Sequence, residues 1–177
     1  MVRHGCSSLS VARTDLVRAA LGWGADLILW SDADHYFPPD ALLRLKAHDV
    51  DLVGTNYARR FDPTGPTAHA LGAGHVWTDE AKAAANRLEE VRTLGFGFLL
   101  MKASVLQVIG KPWFSSIVNG DDVATTEDGF FCEKARQAGF NVYLDHALSW
   151  QIGHIHETVL WNLDTVADRE RWLASRG

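Results

Sequence analysis

Two carboxylates one residue apart, Asp32 and Asp34, directly follow the apolar run Leu27-Ile28-Leu29-Trp30. Alternate residues of an extended chain point the same way, so both carboxylates can face one ligand. Paired hard oxygen donors suit Mg²⁺ or Mn²⁺ carrying a phosphorylated substrate. A polar turn closing a strand is the plainer account of the same residues, because Asp and Ser are common in turns. His35 follows at once; it could join the site, although a surface histidine is the simpler expectation. Further along, Thr126-Glu127-Asp128 opens an amphipathic stretch. The helix dipole favours acidic residues in a first turn. A carboxylate there, Glu127 or Asp128, can also take the proton of a substrate hydroxyl as a general base. Gly153-His154-Ile155-His156 places two imidazoles on one side of an extended segment, a spacing that suits metal ligands. One of them paired with Asp34 would complete a mixed oxygen and nitrogen site for Mn²⁺.

Two further groups are less specific. Arg59-Arg60 could clamp a diphosphate near a metal site through paired donors, whereas adjacent arginines on a loop are ordinarily solvated. Gly95 and Gly97, in Gly95-Phe96-Gly97-Phe98, interrupt an apolar run and mark either a packing glycine or close approach of a ligand to backbone. No Gly-x-Gly-x-x-Gly opens a helix, so this is not a dinucleotide fingerprint.

The elements that must position these groups follow from periodicity. Val11–Trp23 has helical spacing, with Ser10 as a candidate N-cap, and Ala25–Trp30 reads as a strand buried inside a parallel sheet. Ligands of open α/β sheets bind beyond the carboxyl ends of such strands, where Asp32 and Asp34 stand. A helix over Ala41–Ala47 follows Pro38-Pro39, a second strand covers Asp51–Tyr57, and Arg59–Gly74 reads as a loop. Ala81–Glu90 is expected as a short helix, Arg92–Met101 as a strand, Ala103–Ile109 as a helix and Pro112–Asp122 as a loop. Glu127–Ala138 is helical and ends at Gly139. Asn141–Ile152 holds one or two strands, and Thr165–Ala174 closes the chain as a helix. The alternation predicts a single α/β domain over residues 1–177 with a mostly parallel sheet.

Composition sets the frame. A chain of 177 residues is long enough for a real core, and its 47% apolar and 22% charged residues fit a folded globular domain. The net charge of −5, without a Lys/Arg block, points away from nucleic acid and anionic membranes. No apolar run is long enough for a membrane span, and the first residues lack a secretory segment, so a cytoplasmic location is expected. Cys6 and Cys132 form no metal-binding or disulfide spacing, and Cys132 reads as a small buried hydrophobe. Trp30, Trp113 and Trp150 could stack on a sugar, but tryptophan belongs more often to a core.

Taken in order, SDADHYFPPDALLRL, DLVGTNYARRFDP, LGFGFLLMKASVL, KPWF, TEDGFFCEKARQAGFNVYLD and GHI resemble the GT-A glycosyltransferases, with family-2-like bacterial and phage members nearest. The resemblance runs from about Ser8 to His156. It implies a GT-A-like, Rossmann-like fold and transfer of a sugar from a nucleoside diphosphate sugar donor to a hydroxyl acceptor. Asp32-Ala33-Asp34 resembles the DxD motif: Asp34 would ligate a divalent cation (Mn²⁺ or Mg²⁺), and Asp32 would face metal, ribose or sugar. Glu127-Asp128 resembles the ED motif, whose Asp is the base of inverting members. His154 resembles the late histidine that completes the metal site. Gly95 and Gly97 fall in the strand that borders donor and acceptor pockets. The strand–helix–strand unit that ordinarily binds the nucleotide has no counterpart before the DxD strand, so the domain is expected to be N-terminally reduced. An uncovered sheet edge would then invite a second copy or a partner chain. A nucleotidyltransferase or phosphohydrolase using the same carboxylates, and a non-catalytic GT-A-like remnant serving as a binding subunit, are the alternatives.

Overall fold

The computed structural model describes residues 8–119, 122–157 and 159–175. Cys6 lies outside them. Ser8 occupies the N-cap position of α1 (Leu9–Gly22), so the cap lies two residues before the expected Ser10. Gly24 turns the chain with φ +72° into β1 (Leu27–Ser31). Then come β2 (His35–Tyr36), α2 (Ala41–Ala47), β3 (Leu52–Gly54), α3 (Glu80–Ala84), β4 (Leu88–Val91), β5 (Phe98–Lys102) and α4 (Ala103–Ile109). The second half contains β6 (Ile117–Asn119), β7 (Asp122–Thr125), α5 (Glu127–Gln137), β8 (Val142–Asp145), α6 (His146–Ser149), β9 (Gly153–Ile155), β10 (Val159–Leu160) and α7 (Asn162–Ala174). Among the described residues, no helix is long and apolar enough to cross a membrane.

The α/β class is as expected, but the sheet is mixed. Its strand order is β1-β5-β3-β8-β4, and only β3–β8 is parallel. β1, β3 and β8 share one direction; β5 and β4 run against them. The expected mostly parallel sheet is therefore corrected. β5 is inserted between β1 and β3, and an antiparallel strand separating two parallel ones turns two pairings antiparallel. β1 is also a rim strand rather than a buried one: of its side chains only Trp30 is buried, and Leu27 is exposed. An uninterrupted apolar run does not distinguish a central strand from a rim that has a helix on one face.

Three more boundaries move. Residues 88–90, expected to end a helix, pair with β8 together with Val91 as β4. Gly95 and Gly97 fall in the segment between β4 and β5, not inside a strand. The loop expected over Pro112–Asp122 contains β6 and the start of β7.

Side-chain alternation along β5 builds a core on each face. Leu99 and Met101 join Leu52, Val17 of α1, Val105 and Leu106 of α4, and Phe131 and Cys132 of α5. Phe98 and Leu100 join Val53, Ala41 and Leu45 of α2, and Leu148 of α6. Cys132 is buried and packs as a hydrophobe. Trp30 and Trp113 are core residues as well, Trp30 lying 5.6 Å edge-on from Phe114.

Candidate metal and cleft site

The end of the sheet where β1 and β3 finish is also where antiparallel β5 begins, since Ser31 faces Phe98 and Gly54 faces Leu99. This common end gathers Asp32 and Asp34 after β1, Tyr57 to Arg60 after β3, and Gly95 to Gly97 before β5. The Asp32 amide donates to the Gly97 carbonyl at 2.9 Å, extending the β1–β5 ladder one step. The Ile155 amide donates to the Asp34 carbonyl at 2.7 Å, which ties the acidic turn to β9. β2 and β9 pair so that His35 stands opposite His154, and residues opposed in a ladder share a face.

Asp34, His35 and His154 each offer a ligand atom within 4.8 Å of the others. His154 Nδ1 lies 2.7 Å from the Ala58 carbonyl oxygen. A carbonyl only accepts, so Nδ1 carries a proton and Nε2 is the ring nitrogen turned toward Asp34. That Nε2 stands 3.6 Å from Asp34 Oδ2, and His35 Nδ1 stands 3.6 Å from Asp34 Oδ1. The imidazoles stack at 4.6 Å and 10°, and the Tyr57 ring sits edge-on to both. His35 is not the surface residue expected: it is 7% exposed, and neither ring nitrogen has a hydrogen-bond partner among the described residues. Burial pushes its pKa down to about 4, His154 and Arg60 push the same way and Asp34 opposes them, so the ring is neutral at pH 7. Two imidazoles beside a carboxylate are a chemically suitable donor set for a divalent transition ion. Arg60 bridges to Asp34 Oδ2 at 2.8 Å and puts a positive charge on the same carboxylate. His156 is exposed beyond β9 and takes no part in this cluster.

Asp32 links the cluster to the rest of the site. It is reachable by solvent but crowded by protein, and that desolvation pushes its carboxyl up; Arg13 opposes it, Asp34 and Asp128 reinforce it, and His154 opposes it. Arg13 of α1, 6% exposed, forms a 2.7 Å salt bridge with Glu127, 9% exposed, and its guanidinium lies 5.2 Å over the Phe96 ring. Glu127 is thereby committed to a buried pair at the start of α5. Its neighbour Asp128 lines a cleft of about 410 Å³ together with Arg59, Thr67, Thr93 and Gly95. Asp128 Oδ1 accepts from the Thr126 hydroxyl and from the Gly129 amide at 2.7 Å.

The two glycines are required by Tyr57. A Cβ at Gly95 would lie 2.2 Å from the Tyr57 hydroxyl oxygen, and one at Gly97 would lie 2.4 Å from His35 Cε1. The Gly97 amide donates to that hydroxyl at 3.1 Å. Gly97 is thus a packing glycine against Tyr57 and His35, while Gly95 also borders the cleft. Arg59 reaches the cleft, and Arg60 turns the other way, to Asp34 and a smaller hollow of about 300 Å³.

Sequence reasoning passed over Arg13 and set His35 aside. Arg13 lies one helical turn before buried Val17, and a cation on the apolar stripe of a helix is a readable sign of a buried partner. His35 carries no such sign, because its burial depends on β9, more than a hundred residues away. No family model and no curated protein matches the chain. Among solved structures, the crystal structure of A197 from STIV is similar, with TM-score 0.63, 18% identity, and coverage of 85% of this chain and 69% of that one. At this identity the likeness is one of fold.

Proposed function

We propose that this chain is a metal-dependent glycosyltransferase that moves a sugar from a nucleoside diphosphate sugar to an acceptor hydroxyl with inversion. The supporting observation is the approach of His154 to the acidic turn: its Nε2 stands 3.6 Å from Asp34 Oδ2, although the two residues are more than a hundred positions apart in sequence. Asp128, in the neighbouring cleft, is among the charges that push the Asp32 carboxyl up, which supports reading the two as parts of one site.

Asp34 and His154 would hold the divalent cation, with Asp32 beside it. A cation there supplies positive charge against a leaving diphosphate. Arg60, already on the Asp34 carboxylate, adds a planar set of donors matched to phosphate oxygens. Asp128 takes the proton of the acceptor hydroxyl as that oxygen attacks the anomeric carbon from the face opposite the diphosphate. Thr126 and Gly129 both bond its Oδ1, which fixes the carboxylate plane and leaves Oδ2 as the receiving atom. Glu127 is spent on its bridge to Arg13, which anchors the turn that carries Asp128.

The test is transfer from a panel of nucleoside diphosphate sugars, with products identified. Asp128→Asn is expected to lower the transfer rate by about a hundredfold or more while donor binding persists. An Asp128→Asn chain with full transfer rate would remove Asp128 from the role of base. Release of a nucleoside monophosphate in place of the diphosphate would assign phosphoanhydride cleavage instead.

A further inference from the structure

We propose that His35 is a third metal ligand, so that Asp34, His35 and His154 form a two-nitrogen, one-carboxylate set selecting a first-row transition ion over Mg²⁺. The assignment builds on the metal-dependent reading above and names the class of ion.

Three observations carry it. Both His35 nitrogens are buried and lack a hydrogen-bond partner among the described residues, so an imidazole here is desolvated without return unless something binds it. Each imidazole faces a different Asp34 oxygen at 3.6 Å, which is too long for a hydrogen bond. It is close to the roughly 3.0–3.5 Å that separates neighbouring ligands around an ion with bonds near 2.1 Å; the two rings stack at 4.6 Å and 10°, so the His154 ring must turn for its Nε2 to reach the ion that His35 holds. Finally, the ring is held in place: Tyr57 lies 4.5 Å edge-on to it, and Gly97 leaves room for Cε1 where any Cβ would not. His154 completes the arrangement, because its Nδ1 is spent on the Ala58 carbonyl and Nε2 alone faces Asp34. Imidazole suits transition ions, whereas Mg²⁺ takes oxygen and water.

The experiment uses the full chain stripped of metal by chelation. Calorimetric titrations with MnCl₂, CoCl₂ and MgCl₂ are paired with pulsed electron paramagnetic resonance of the Mn²⁺ complex, which counts directly bound imidazole nitrogens. Two bound imidazoles are expected, with Mn²⁺ and Co²⁺ held at least about tenfold more tightly than Mg²⁺; His35→Gln loses one imidazole and about 10–100-fold in Mn²⁺ affinity. The nitrogen count on the unaltered chain decides the matter even if that variant folds poorly. One bound imidazole, or equal affinity for Mg²⁺, overturns the role of His35 and leaves a site of Asp34 and His154 intact. No binding of any ion overturns both that site and this inference. Two imidazoles without binding of any nucleoside diphosphate sugar would keep His35 as a ligand and remove the transferase.

Discussion

Arg13 and Glu127 show how one buried pair can govern a site without entering the chemistry. A buried pair is costly to break because the remaining charge has no solvent. Arg13→Met is expected to lower stability by about 3–5 kcal/mol, read as a shifted urea midpoint, and combining it with Glu127→Met should recover most of that loss. If the double variant is as unstable as the sum of the singles, the two side chains are not coupled. Arg60 invites the opposite kind of change. Its guanidinium competes with a cation for Asp34, so Arg60→Ala should tighten Mn²⁺ binding a few-fold, about the effect of a half-exposed ion pair, while weakening nucleotide binding. Asp32, Asp34 and Asp128 were legible as candidates because acidic residues after a strand and at a helix start leave local marks. His35 and Arg13 take their roles from long-range pairing, which one-dimensional spacing does not contain.

At the scale of elements, the segment between β3 and α3 carries Arg59, Arg60 and Thr67, and Asn56 pins it. The Asn56 side chain is buried, accepts from the amides of Thr67 and Ala68 at 2.9 and 3.1 Å, and donates to the Val76 carbonyl at 2.8 Å. Removing it strands several buried backbone groups. Asn56→Ala should therefore cost about 2–4 kcal/mol and speed amide hydrogen exchange over residues 59–78 more than in β5. Uniform acceleration across both would place Asn56 in the global core instead. Gly97→Ala drives a Cβ against His35 and Tyr57 and should cost about 1–3 kcal/mol, with weakened Mn²⁺ binding. The helices after residues 40 and 126 and the strand ending before Asp32 were readable from capping and apolar runs. The rim position of β1 was not, because strand order depends on where β5 inserts, and its residues are equally apolar for either neighbour.

For the whole molecule, protonation links the site to stability. In chelator-treated protein the folded pKa of His35, about 4, lies below its ordinary 6.5. Below pH 6.5 the unfolded chain binds a proton that the folded chain refuses, so stability falls as pH drops from 6.5 toward 4, by on the order of 3 kcal/mol from this group. Burial lowers the pKa of His146 too, which adds to the same trend. Urea midpoints between pH 7 and 4.5 measure the slope, and His35→Gln should make it shallower; an unchanged slope would contradict the buried neutral ring. The α/β class was evident from the alternation of helix and strand, whereas the mixed sheet was not, since pairing direction leaves little trace in composition. The most direct test of the account remains binding of a nucleoside diphosphate sugar to the intact chain with and without Mn²⁺. The account predicts binding of at least one such donor that requires Mn²⁺ and disappears in Asp34→Ala; donor binding indifferent to both Mn²⁺ and Asp34 would contradict it.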